Sequence, residues 1–291
     1  MLVNMQQMLG DAGKNHYAIG SFNCPNMETA LAVVRAAERI GSPVILNHGE
    51  GHEPFIALEE IAPVLLSIAQ KSRVPVSVHI DHGMTYSFLL RAIRAGFTSI
   101  MYDCSMLSFD ENVSALKRFV DDVHPLGISV EAELGCMLNN IPHHNGNASE
   151  DALRNIGDTF TDPEAAGTFA EETGVDALTV SFGSMHGAYI EPPKLDIDRL
   201  DRIKAAVGNT ALVMHGASGI DLDQIKRAVL HGVSKINYYT AVATAPTEKI
   251  SHMICERAGD VVFYHEIAKI ATEIMYCEAL KYIEVMANPG Y

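Results

Sequence analysis

Basic residues are scarce in this sequence: 21 Lys and Arg stand against 36 Asp and Glu, a formal net charge of −15 over 291 residues. That balance repels nucleic acid and anionic membrane surfaces, so neither is expected as a partner. It also means that a phosphate has to be held by backbone amides, helix N-termini or a metal. No apolar run approaches the roughly 20 residues that a helix needs to span a bilayer. The opening residues, Met1-Leu2-Val3-Asn4-Met5-Gln6, lack a basic segment followed by an apolar core, and no signal peptide is expected. The five cysteines are scattered and form no C-x-x-C pair, which points to a reducing compartment, with the cytoplasm as the expected location. No low-complexity tract or short-period repeat divides the chain, so residues 1–291 are read as one domain.

What the chain does have is alternation. With 48% hydrophobic and 20% charged residues it is a globular sequence. Eight strand-like runs can be counted, at 17–22, 43–47, 74–80, 98–102, 128–134, 177–182, 211–214 and 233–237. Between them lie stretches with helical spacing of apolar residues, at 27–40, 59–71, 87–95, 110–123, 163–173, 198–206 and 221–230. Strand–helix alternation repeated eight times predicts a single (β/α)8 TIM barrel with helical caps and extra C-terminal helices. A doubly wound open sheet is the alternative, but no glycine-rich dinucleotide fingerprint follows the first strand. The stretch from Cys136 to Asp158 is too long for an ordinary connection and reads as an active-site lid or a disordered segment. Residues 263–286 read as one long helix or two shorter ones, packed beneath the barrel or against a partner.

The strand ends carry the chemistry. Val78-His79-Ile80-Asp81-His82-Gly83 is an apolar run that stops on an acid and an imidazole. Read in turn, the C-terminal ends expected at the active-site face are Asn23, Asn47, Asp81-His82, Asp103, Glu131 and Glu133, then His186, His215 and Asn237. A single histidine in such a place is more often a hydrogen-bonded core or rim residue. Three of them, His82, His186 and His215, on one rim form the pattern of a catalytic zinc site with an open fourth position. His215-Gly216-Ala217-Ser218-Gly219 opens onto a helix, where small residues let backbone amides approach an oxyanion, and Asn237-Tyr238-Tyr239-Thr240 supplies the neighbouring turn.

Together these strings resemble the zinc-dependent class II ketose-bisphosphate aldolases, which cleave fructose or tagatose bisphosphate. The resemblance runs from about Tyr17 to Thr240 and rests on Asp81-His82, Val130-Glu131-Ala132-Glu133-Leu134-Gly135, His186-Gly187-x-Tyr189, His215-Gly216-Ala217-Ser218-Gly219 and Lys235-Ile236-Asn237. It implies one zinc ion on His82, His186 and His215, with Glu133 and Asp103 as alternative or second-site ligands. Asp81 would move the proton at the aldehyde oxygen. Gly187, Gly216, Ser218 and Thr240 would lie around the phosphate, with Asn23 and Asn237 also on the substrate and a monovalent cation nearby. A sugar-phosphate substrate and a homodimer or homotetramer are implied as well.

The chemistry agrees with this inventory. Cleaving the C3–C4 bond of a ketose leaves an enediolate that needs a Lewis acid, one group for the C4 hydroxyl proton and another for the carbon. A Schiff-base aldolase would need a lysine at a strand end, and Lys235 falls short of one. Three departures from the family narrow the substrate. The segment 138–145 has no carboxylate where the family's mobile-loop glutamate belongs; counting back from Glu150-Asp151-Ala152-Leu153 places His143 close to that position, beside His144. Tyr239 replaces an acid, and Glu266 falls near the place of a basic residue that holds the second phosphate. The expected reaction is therefore cleavage of a ketose 1-phosphate or related sugar to dihydroxyacetone phosphate and an aldehyde. A metal-dependent isomerase or epimerase, and a non-catalytic sugar-phosphate-binding subunit, are the other readings.

Overall fold

A computed structural model describes residues 1–135, 139–140, 159–187, 189, 193–257, 259–288 and 290. Eight parallel strands close into a barrel: β1 (Ile19–Asn23), β2 (Val44–Gly49), β3 (Val76–Gly83), β4 (Ser99–Tyr102), β5 (Ser129–Leu134), β6 (Ala177–Val180), β7 (Ala211–Met214) and β8 (Val233–Tyr238). Each strand pairs with its neighbours in sequence and β8 returns to β1, as the expected (β/α)8 topology requires. Strand β3 shows why these segments fold as they do. Val76, Val78 and Ile80 join the apolar core shared with the outer helices, while Ser77, His79 and Asp81 alternate with them.

The helices are α1 (Met5–Asn15), α2 (Met27–Ile40), α3 (Leu58–Lys71), α4 (Tyr86–Ala95), α5 (Phe109–Val123), α6 (Pro163–Thr173), α7 (Ile197–Ala206), α8 (Leu222–Leu230), α9 (Thr240–Glu256) and α10 (Tyr264–Ala287). Their starts are marked in the sequence. Asn26 accepts from Thr29 N ahead of α2, Ser108 and Glu111 form a capping box on α5, and Asp162 caps α6 just before Pro163. Helix α9 has no counterpart in the sequence reading, because Pro246 interrupts a stretch with little amphipathic pattern and still sits inside the helix. Among the described residues no helix is long and apolar enough to cross a membrane.

Helix α1 closes one end of the barrel. Met5, Met8, Leu9 and Ala12 of α1 form a second apolar cluster with Ile19, Ile45, Ala177, Ala211 and Val213. These barrel residues lie toward the N-terminal ends of their strands or one turn of pleat further in, so α1 closes that end. The position beneath the barrel is thus taken, and α10 lies elsewhere, as one unbroken helix along α2. Arg35 of α2 pairs with Glu273 at 2.7 Å, Tyr282 stacks on Tyr238 at 4.1 Å, and Ala18 N donates to Met286 O at 3.0 Å. Among the described residues, no helix closes the C-terminal rim.

Candidate active site

The rim surrounds a cleft of about 470 Å³. Asp81 stands on β3 with both carboxylate oxygens engaged: Asn23 Nδ2 donates to Oδ2 and Asn237 Nδ2 to Oδ1, each at 2.9 Å. Burial works against its charge, but His82, His215 and Lys235 outweigh burial and hold its carboxyl well below the usual carboxylate range. Asp81 is therefore an oriented, ionised carboxylate.

His82 is turned by a bulge. Between β3 and β4, Ile80 faces Ile100 and Gly83 faces Tyr102, so β3 carries one extra residue across this step. His82 itself takes a left-handed conformation, φ 48°, which costs a non-glycine residue about 1–3 kcal/mol. The distortion is consistent with a functional constraint on the ring. Its Nδ1–H donates to Asp103 Oδ2 at 2.7 Å, and Ser105 N and Oγ donate to the other oxygen of Asp103 at 3.1 and 2.7 Å. That leaves Nε2 facing the cluster.

His215, fully buried, follows β7. Its Nε2 lies 3.1 Å from Glu131 Oε1 and 3.0 Å from Asn237 Nδ2, which donates to Asp81; the ionised Glu131 only accepts, so Nε2 carries the proton and Nδ1 keeps its lone pair. Thr179 Oγ1 donates to the same Glu131 oxygen at 2.9 Å. His215 Nδ1 and His82 Nε2 are 3.1 Å apart. Two nitrogens bound to one tetrahedral zinc at about 2.0–2.1 Å would lie about 3.3 Å apart, so the spacing fits a shared ion.

His186 completes the group, with ring centroids 5.0 Å from His82 and 5.6 Å from His215. It is not at the end of β6, which stops at Val180. It sits farther along the loop, where His186 and Gly187 pair in parallel with the backbone of Asn139 and Asn140. Tyr189 ties this loop to the next: its hydroxyl donates to Gly216 O at 2.7 Å and accepts from Met185 N at 3.0 Å.

One potential ligand atom from each of His82, His186 and His215 falls within 4.8 Å of the others, and His82, Asp103 and Glu133 form a second such group. Electrostatics favour a cation here. Asp81, Asp103, Glu131 and Glu133 converge on the rim and the layer below, and Lys235, 2.8 Å from Glu131 Oε2, is the lysine among them. Burial opposes charging of His82, but Asp81, the Asp103 hydrogen bond and Glu133 push its pKa up to about 10. Burial and the two neighbouring imidazoles bring His186 down to about 3. The site thus draws in positive charge, and His82 Nε2 would have to give up its proton to hold a metal.

The remaining positions can now be placed. Gly187, Gly216, Ser218 and Thr240 line the same cleft. Gly216 has φ 67°, and a Cβ there would come within 2.1 Å of Met185 O, so the turn requires glycine. Ser218 Oγ accepts from Ala241 N at 3.1 Å and fixes the start of α9 beside this turn. Asn47 is not at the rim: it is fully buried within β2, accepting from Ser21 Oγ at 2.7 Å. Glu131 likewise lies below the rim. Lys235 is fully buried against Glu131, which removes it from the cleft as a Schiff-base nucleophile. His143, with His144, Glu150 and Asp151, lies outside the described residues. The sequence reading missed His52, which lines the cleft from the loop after β2; its signal was hidden because β2 runs on to Gly49.

The chain resembles known proteins over its whole length. The family model for class II fructose-bisphosphate aldolase matches residues 3–290. The protein YdjI of Escherichia coli strain K12 is 41% identical over 295 residues, spanning 100% of this chain and 99% of its own length. The crystal structure of the YdjI aldolase from E. coli K12 superposes with a TM-score of 0.83 at 34% identity, covering 100% of this chain and 99% of that one. The structure of fructose-bisphosphate aldolase from Campylobacter jejuni, 23% identical over 98% of this chain and 95% of its own, has the same fold with a TM-score of 0.79.

Proposed function

The chain belongs to the class II fructose-bisphosphate aldolase family and is an aldolase, a lyase of a family that acts on sugar phosphates; from that premise we propose that it cleaves a ketose 1-phosphate or related sugar to dihydroxyacetone phosphate and an aldehyde. The observation that carries the proposal is the meeting of three imidazoles with an ionised, doubly anchored Asp81 at one rim. His82, His186 and His215 would hold one zinc ion, with Asp103 and Glu133 close enough to serve as second-site ligands. Zinc bound there would supply the Lewis acid that offsets negative charge on the donor half of the substrate.

The chain's own residues do the rest. Asp81 takes the proton of the C4 hydroxyl as the C3–C4 bond breaks and returns it in the condensing direction. Asn23 and Asn237 fix the carboxylate in place for that transfer, since each oxygen is held from a different strand. Gly187, Gly216, Ser218 and Thr240 surround the phosphate with backbone and hydroxyl donors, and a monovalent cation beside them would offset its charge. No Lys or Arg lines the cleft among the described residues, so one phosphate, not two, is the expected load.

The proton at the donor carbon is assigned to His143, because an imidazole with an ordinary pKa of about 6.5 suits that exchange near neutral pH. His143→Ala is expected to slow exchange of the C–H proton of dihydroxyacetone phosphate with solvent by about 10²-fold or more. Exchange at the full rate, followed by NMR in D2O, would remove His143 from the role. We further assign the chain to one domain acting in the cytoplasm as a homodimer or homotetramer; a monomer's mass by sedimentation would remove the assembly from the proposal.

A further inference from the structure

One wall of the cleft carries two hydrogen-bond donors that the chemistry above does not use. His52 is 8% exposed and lines the cleft. Its Nδ1 accepts from the backbone N–H of Gly49 at 3.2 Å, a bond that requires a lone pair on Nδ1. The proton of the neutral ring is therefore on Nε2. Burial lowers the pKa of this imidazole, with Asp81 opposing, which keeps the ring in that neutral form at pH 7. The ring is held between His48, 5.4 Å away, and the edge of Tyr239, also at 5.4 Å and tilted 65°. Tyr239 lines the cleft as well. Among the described residues, nothing accepts from His52 Nε2–H and nothing bonds to the Tyr239 hydroxyl.

The wall stands beside Asp81. Gly49 pairs with Asp81 in the β2–β3 register. A Cβ added to Gly49 would lie 2.9 Å from Asp81 O and 3.8 Å from His52 Nδ1, so the imidazole and the Asp81 backbone flank the same glycine. Farther out, Phe55, Met84 and Met106 line the mouth with side chains that donate no hydrogen bond. Two fixed, uncharged donors next to the group that handles the aldehyde oxygen suit an acceptor oxygen on the neighbouring carbon.

We propose that His52 Nε2–H and the Tyr239 hydroxyl bind the aldehyde half of the substrate through the oxygen on the carbon next to the aldehyde carbon, C5 of the ketose, making the site selective for α-hydroxy aldehydes over their deoxy counterparts. This rests on the aldolase reading with Asp81 at the aldehyde oxygen. A ketose cleaved at C3–C4 yields an aldehyde of this kind, and the proposal gives its recognition to two residues outside the metal cluster.

The test is run in the condensing direction on metal-loaded protein, with dihydroxyacetone phosphate and either glycolaldehyde or acetaldehyde. The ratio of the two kcat/KM values is read in each protein. Solvent exchange of the C–H proton of dihydroxyacetone phosphate, which needs no aldehyde, is the reference reaction. The native protein is expected to favour glycolaldehyde by at least about tenfold, and His52→Phe and Tyr239→Phe are each expected to lose about fivefold of that ratio. A native ratio near one, or a ratio that survives both substitutions, overturns the assignment. Absence of exchange in the native protein defeats the aldolase reading and this one with it. If His52→Phe also loses exchange, His52→Gln decides, since its amide keeps an N–H donor: a retained preference supports the assignment and a lost one overturns it.

Discussion

Stripping the metal from the purified protein is expected to reduce aldol cleavage by at least about 10³-fold while leaving the far-UV circular dichroism nearly unchanged. The first half follows from where the charge goes. Breaking the C3–C4 bond places a full negative charge on the donor half of the substrate. A Lewis acid contributes several kcal/mol to stabilising such charge, and about 4 kcal/mol is a factor of 10³ in rate. No lysine or arginine in the described cleft could take over that role. The second half follows from the fold. The three imidazoles sit at the rim, whereas the barrel is held by strand ladders, by the core between strands and outer helices, and by α1 at the opposite end. Zinc restored at one equivalent should return the activity. Full activity with less than a tenth of an equivalent bound would remove the metal from the mechanism.

Asp81→Asn is expected to lower kcat by about 10²–10⁴-fold with zinc still bound. The substitution keeps the shape of the side chain and removes its ability to take a proton at neutral pH. It also turns one of the two acceptors into a donor, so Asn23 and Asn237 can no longer both donate to it. A purely supporting role for Asp81 would give a different result. Asp81 adjoins His82, and if its task were to hold that ring in place, the variant would lose metal first and activity as a consequence. Measuring zinc content and kcat on the same preparation separates the two. Metal loss that accounts for the whole fall in rate would contradict the assignment of Asp81 to the proton.

Much of this architecture could be read from local pattern. The period-2 alternation of β3 and the apolar runs of the other strands mark eight segments that the barrel uses with shifts of a few residues at most. Three histidines near strand ends suggested one cluster, and the structure brings them together. The features that escaped the sequence are nonlocal. The bulge that turns His82 exists only relative to β4. Which residue of a strand reaches the rim depends on the stagger between neighbours, which is why Asn47 and Glu131 lie a layer deeper than their strand-end positions suggested. His186 reaches the cluster from a loop held by a two-residue backbone ladder and the Tyr189 bridge, neither of which local periodicity encodes. His52 escaped because the apolar run that marks β2 ends at Asn47 while the strand continues to Gly49.

The central claim is that this rim splits a singly phosphorylated ketose. The direct test follows dihydroxyacetone phosphate release by zinc-loaded protein from a panel of ketose 1-phosphates and from fructose and tagatose 1,6-bisphosphates. Release from at least one ketose 1-phosphate, with kcat/KM no lower than for either bisphosphate and lost in Asp81→Asn, is the predicted result. A clear preference for a bisphosphate would show a second phosphate site that the described cleft does not contain. Tight binding of the panel with one zinc bound and no release from any member would contradict the assignment of an aldolase reaction on these substrates.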